Sequence, residues 1–168
     1  IKRNKDIKLL IVGSGPDLET YQKIVKKNKI EENVIFTGAV PWEEIPYYYG
    51  ISNIFATASQ TETQGLTVIE AMASSLPVIA IDDESFNTTV IPGLNGFLFK
   101  RKQEYRKKVE EIINDKELYK RMSKQARITA REHSLKYYAE KMTDVYNTAI
   151  NKTKKDNIIK RIIKKMRG

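Results

Sequence analysis

The chain has no cysteine and a single histidine in 168 residues. Without cysteine there is no disulfide framework and no thiolate nucleophile, and structural zinc sites lose their usual sulfur ligands. The lone His133 lies between two helical stretches with no serine and aspartate constellation around it, so it reads as structural. No metal site is expected. The sequence also lacks any apolar run near the roughly 20 residues needed to cross a bilayer, and no signal-peptide pattern opens it. A cytoplasmic location fits these absences.

What is present describes a folded domain. Hydrophobic residues make up 40% and charged residues 30%, a balance typical of globular rather than disordered chains. The length suits one domain with a sizeable core. The net charge of +9 is concentrated at one end: residues 151–168 hold eight Lys or Arg against one Asp. The basicity therefore belongs to a tail and says little about the ligand of the domain itself. The chain begins "IKRNKDIKLLIVG" without an initiator methionine, and the expectation is a fragment of a longer protein.

Short apolar runs alternate with helical patterns over the first hundred residues. "IKLLIV" (7–12), "NVIFTG" (33–38), "NIFATAS" (53–59), "PVIAI" (77–81) and "NGFLF" (95–99) read as strands. Helices are expected at 17–28, with Leu18, Tyr21, Ile24 and Val25 on one face, at 65–75, and briefly near 86–91. "WEEIPYYYG" (42–50) suggests a short helix interrupted at Pro46. Beyond residue 103 the pattern is helical only, in segments 103–114, 115–132 and 134–150, with Ser134 as an N-cap. Continuous apolar strands alternating with helices imply an α/β fold, a Rossmann-like parallel sheet covered by helices. Residues 1–150 are taken as the domain and 151–168 as a basic amphipathic tail.

Ligands of such sheets bind beyond the carboxyl ends of the strands. The loop after the third strand, "SQTETQG" (59–65), leads into "LTVIEAMASS" (66–75). A helix start behind a glycine presents backbone N–H groups and partial positive charge, which suits a phosphate. Gln64, Gly65, Leu66 and Thr67 would supply those donors, mostly from backbone. Glu62 precedes the helix and Glu70 lies inside it, with seven residues between them. Carboxylates accept from sugar hydroxyls, so a sugar, a diphosphate and a ribose in series would fit, as in a nucleotide sugar. Spacing alone leaves the other reading open, in which both glutamates are simply solvated.

"GSGP" (13–16) follows the first strand but lacks the third glycine of a dinucleotide fingerprint, Leu18 standing there. NAD or FAD is therefore disfavoured, and a turn that brings backbone to a ligand or a purely structural turn both remain. "TGAVPW" (37–42) could set backbone against a flat base, while Trp42 and Tyr47–Tyr49 read as core or interface aromatics.

Taken together, "ETQGLTVIEAMASSLPVIA" is similar to the signature of family 4 retaining glycosyltransferases of the GT-B fold. That pattern runs E-x7-E, then "AMA", a short gap and "PVIA". "KLLIVGSGPDLETY", "NVIFTGAV" and "NGFLF" follow in the family's order, so the resemblance covers about residues 7–150. It corresponds to the family's C-terminal, nucleotide-sugar-binding domain. The resemblance implies that Glu62 contacts the donor sugar, that Gln64, Gly65, Leu66 and Thr67 serve sugar and diphosphate, and that Glu70 holds ribose hydroxyls. It brings the turn at Gly13 and Gly15 to the nucleotide and Gly38, Ala39 and Val40 near the base. No cofactor is implied beyond the substrate, expected to be UDP-glucose.

The departures are informative. The common form has Phe where Gln64 stands and Gly where Ser75 stands; "ETQGLT" resembles the form associated with bacterial glucosyltransferases acting on diacylglycerol. The Gly-rich turn after "PVIA" is replaced by "IDDESFNT", so no contacts are carried onto that loop. The family's Arg and Lys, which neutralise the leaving diphosphate, and its N-terminal acceptor domain are expected upstream of this chain, together with the domain's first strand and helix. The isolated chain is accordingly expected to be an inactive fragment. A lipid or saccharide acceptor is implied; a surface or capsular polysaccharide enzyme, or a non-catalytic sugar-nucleotide-binding subunit, is the alternative.

In "NIIKRIIKKMRG" (157–168), Ile158, Ile159, Ile162, Ile163 and Met166 fall within an arc of roughly 140° and the cations lie opposite. Asp156 or Asn157 could cap such a helix. An anionic membrane surface, such as the inner face of the plasma membrane, suits residues 152–168; packing against the remainder of the protein suits the isoleucines equally. Nucleic acid is not expected, because no recognised module or interleaved aromatics accompany the charge.

Overall fold

The computed structural model describes residues 4, 6–63 and 65–166, with backbone alone at 156–159, 163 and 164. It divides into two compact units, residues 1–52 and 53–168. In the first, β1 (Leu9–Ile11) pairs in parallel with β2 (Val34–Phe36), with Leu9 opposite Val34. Helix α1 (Leu18–Lys27) connects them. The buried Asn33 holds the entrance of the pair by donating from Nδ2 to the Ile7 carbonyl at 2.9 Å. Of the apolar face expected on α1, Leu18 and Val25 are half-buried, whereas Tyr21 and Ile24 are exposed. A sheet of two strands is too narrow to cover the whole stripe.

Pro46 does not interrupt a helix. A 3₁₀ turn at Trp42–Glu44 runs into α2 (Ile45–Gly50), and Pro46 sits in its first turn. There its missing N–H would have had no helical partner anyway. Trp42 and Tyr47 are exposed, so neither is a core aromatic; Tyr48 and Tyr49 are half-buried.

In the second unit, β3 (Phe55–Thr57), β4 (Val78–Ile81) and β5 (Gly96–Phe99) form a parallel sheet with β4 central. The described strands thus group in two sheets rather than one continuous ladder. Helices α3 (Leu66–Ala73), α4 (Glu84–Asn87), α5 (Lys102–Asn114) and α6 (Lys116–Glu132) accompany the second sheet. Successive β4 side chains enter opposite layers. Val78 and Ala80 join Val68, Met72, Phe86, Val90, Ala126 and Ala130, while Ile79 joins Phe97, Ile112, Leu118 and Met122. A strand buried on both faces cannot alternate polar with apolar, which is why "PVIAI" reads as one apolar run.

Helix α5 starts where the Glu104 carboxylate accepts from the backbone N–H groups of Lys100 and Arg101, at 2.8 and 3.3 Å. Helix α6 starts at Asp115, whose side chain accepts from the N–H groups of Glu117 and Leu118. Helix α7 (Leu135–Met166) has the expected cap, Ser134 Oγ accepting from Tyr137 N at 3.2 Å. It then continues for 32 residues, with no second start at Asp156 or Asn157. Residues 151–155 contain neither Gly nor Pro, and Thr153 bonds back to the Ala149 carbonyl as a helix-interior threonine does.

The end of α3 explains one departure from the family pattern. Ser75 adopts a left-handed φ of 64°, Leu76 N donates to Ala71 O at 3.1 Å, and Ser75 N donates to Met72 O at 2.9 Å. This is a Schellman ending, in which glycine is the unstrained residue. Replacing Ser75 with Gly should therefore raise unfolding stability by roughly 0.5–1 kcal/mol, after the added unfolded-chain entropy is discounted. Urea denaturation of the two proteins measures it, and a destabilised variant would show that the Ser75 side chain, not its backbone, holds this corner.

Candidate functional site

In the first unit the two glycine turns meet. Gly13, at φ 121°, donates its N–H to the Gly38 carbonyl at 3.0 Å, and Gly38 has φ 70°. Thr37 Oγ1 donates to the same carbonyl at 2.8 Å. These turns follow the carboxyl ends of β1 and β2. Gly15 is exposed and its carbonyl accepts from Leu18 N at 3.2 Å, opening α1. Ala39 is exposed and Val40 half-buried. The structure thus brings Gly13 and Gly38 together, and places Gly15, Ala39 and Val40 on the segments that leave them.

In the second unit the loop after β3 turns at once, with Thr57 Oγ1 accepting from Ser59 N at 3.2 Å. Glu62 is half-buried on this loop; Gln64 lies outside the described residues. Gly65 begins α3 in a left-handed conformation, φ 58° and ψ 41°, and its carbonyl accepts from Val68 N at 2.9 Å. As cap residue Gly65 has no side chain to offer the first-turn N–H groups, so the positive end of α3 is not covered from the cap position. Leu66, Thr67 and Glu70 are exposed, whereas Val68, Ala71 and Met72 are buried. At about 100° per residue, Glu70 projects between Leu66 and Thr67 in the view down the axis. Glu70 therefore belongs to the solvent face of a helix whose other face is core.

The short helix expected near 86–91 stands earlier, as α4 (Glu84–Asn87), because the cap lies at Asp83. Asp83 caps α4, accepting from Ser85 N at 3.0 Å and from Ser85 Oγ at 2.7 Å. Phe86 is fully buried, and a side-chain carbon placed on Gly65 would lie 2.9 Å from its ring. Asp82 pairs with Lys100 at 3.2 Å. The Asp-x-Ser spacing in "DDES" was a readable cap signal; the ring's position under Gly65 was not. Among the described residues no group of three potential metal ligands gathers.

Parallel α/β architecture with glycine turns at the strand ends and a Gly-led helix start defines the C-terminal domain of GT-B glycosyltransferases. The chain belongs to the family described as "Glycosyl transferases group 1", whose model matches residues 1–129. It is 34% identical over 148 residues to alpha-monoglucosyldiacylglycerol synthase of Acholeplasma laidlawii, covering 88% of this chain and 37% of that protein. The Streptococcus pneumoniae protein of the same name is 35% identical over 99 residues, 59% of this chain and 22% of that one. The chain thus spans about a third or less of these relatives. Among solved structures, S. aureus TarM in complex with fondaparinux, alpha-GlcNAc-glycerol and UDP gives a TM-score of 0.76 at 25% identity, covering 87% of this chain and 30% of that one. The C-terminal domain of LpcC from Francisella tularensis, a glycosyl transferase group 1 family protein, gives 0.70 at 28% identity, covering 77% and 71%.

Asp83 makes the α4 cap sensitive to acid. The hydrogen bond from the Ser85 hydroxyl, then that from the Ser85 N–H, holds its carboxyl below the ordinary value of 3.8. A lowered folded value means that the cap stabilises fully above pH 3.8 and weakens as pH falls through the folded value. Asp83→Ala should therefore melt below wild type at neutral pH, with the two midpoints converging below pH 3.8. A gap that persists unchanged to pH 2 would show that the carboxylate charge plays no part.

Proposed function

We propose that this chain is the donor-binding domain of a retaining glycosyltransferase that moves a glucosyl unit from UDP-glucose to a hydroxyl of diacylglycerol. The observation that carries the reading is the start of α3, where a helix led by the left-handed Gly65 presents the exposed Thr67 and Glu70 behind the Glu62 loop. As the bond to the sugar breaks, negative charge collects on the departing diphosphate. A helix N-terminus, equivalent to roughly half a positive charge, stabilises that charge without rearranging. Glu62 orients the sugar hydroxyls, and Glu70 accepts from the ribose. The names of the two synthase relatives support glucosyl transfer to a diacylglycerol, and the UDP bound by TarM supports a uridine donor.

The test uses the intact protein with a panel of nucleotide sugars and with lipid and saccharide acceptors. Glu62→Ala should lose transfer activity at least a hundredfold. Glu70→Ala should bind UDP about tenfold more weakly, near 1.4 kcal/mol, as expected for loss of a charged acceptor. Wild-type activity and affinity in both variants would defeat the site assignment, and exclusive use of saccharide acceptors would defeat the lipid reading.

The end of α7 supports a peripheral position at an anionic membrane. Residues 151–168 carry eight cations against one acid. Lys160, Arg161, Lys165, Ile162 and Met166 are exposed; the side chains of Ile158, Ile159 and Ile163 lie outside the described residues. No helix among the described residues is long and apolar enough to cross a membrane. Each cation near an anionic surface contributes about 1 kcal/mol. Co-sedimentation should be strong with anionic vesicles, weak with neutral ones, and largely lost without residues 152–168; equal binding with and without them would reject the membrane role.

A further inference from the structure

We infer that Phe86 is a positioning residue for the donor site, setting the depth and tilt of the α3 N-terminus; this rests on the donor-site reading above. A side-chain carbon on Gly65 would meet Phe86 Cε1 at 2.9 Å, Cδ1 at 3.1 Å and the Ser85 carbonyl at 3.8 Å. The ring edge therefore lies directly against the Gly65 backbone. The same ring packs in the cluster of Val68 and Met72, from the inner face of α3, with Ala126 and Ala130 from α6. Phe86 thus lies against the cap residue of α3 and shares the core cluster that the buried face of the helix enters, a placement that resists sinking and tipping of the helix start.

The ring is itself held on several sides. Phe86 N donates to Asp83 O at 3.0 Å, and Phe86 O accepts from Val90 N at 2.8 Å and Thr89 N at 3.0 Å. The fully buried Asn95 locks the following turn. Its Nδ2 donates to Thr89 O at 2.9 Å and to Thr129 Oγ1 at 3.0 Å, and its Oδ1 accepts from Ile91 N at 2.8 Å. The segment from β4 to β5 is thereby tied to α6 and supports the helix start as a rigid floor. Hydrogen bonds to a diphosphate weaken steeply with angle, so a turn free to settle by a fraction of an ångström aims its N–H groups poorly.

Calorimetric titration of the intact protein with UDP tests this. Phe86→Leu keeps an apolar side chain but removes the ring edge, and should weaken UDP binding about tenfold while retaining cooperative unfolding. Phe86→Met serves the same purpose if the leucine variant does not fold. Met122→Ala is the control: it lies in the other core layer, and should lose stability without losing affinity. Gly65→Ala combined with Phe86→Leu should lose less affinity than the two single losses added, because the ring no longer meets the new methyl group. Wild-type affinity in the Phe86 variants, or a loss no greater than that of Met122→Ala, overturns the positioning role and leaves the donor site standing. Failure of the wild-type protein to bind UDP overturns the donor-site reading and this inference with it.

Discussion

The ring of Phe86 lies against the Cα of Gly65 so closely that no residue with a side chain fits there without displacement. The local architecture depends on that contact. It requires glycine at the helix start, where the left-handed conformation independently favours it. As the cap residue of α3, Gly65 itself brings no side chain to the helix start. The contact also requires the segment between β4 and β5 to be stiff, which the Asp83 cap and the buried Asn95 bonds accomplish. A helix start whose cap is backbone alone is only as accurately placed as the packing beneath it.

Helix α3 is consequently divided along its length. Val68, Ala71 and Met72 face the core, and Leu66, Thr67 and Glu70 face solvent. Eight residues serve both purposes because the helical period brings positions three and four apart to one side. The two carboxylates assigned to the donor differ in kind. Glu62 is half-buried on the loop after β3, while Glu70 is carried by a helix whose other face is core. The left-handed Ser75 closes the same helix at its other end, where Arg127 Nη1 also donates to the Ala73 carbonyl at 3.4 Å.

Much of this was legible beforehand, and what was not has physical causes. All five strands were marked by apolar runs, and each proved shorter than its run. The helix start behind Gly65, with Glu70 inside the helix, was legible in the sequence. The exposure of Tyr21 and Ile24 was not, since periodicity reports which residues share a face and not whether anything covers it. The uninterrupted course of α7 was missed because a candidate cap at Asp156 means little where nothing breaks the preceding helix. "IDDESFNT" was set aside for its departure from the family pattern, yet it supplies the ring that supports Gly65.

By itself the sequence determined the α/β order, the membership in the group 1 glycosyl transferases and the residue types at the helix start. Those depend on short-range patterns: apolar runs, caps and glycine positions within a dozen residues of one another. Only the tertiary structure decided which side of α3 is core, that Gly13 and Gly38 share a hydrogen bond across 25 residues, and that Phe86 reaches back to Gly65 across 21. Such contacts join segments that are adjacent only once the strands have paired, and no local pattern records them.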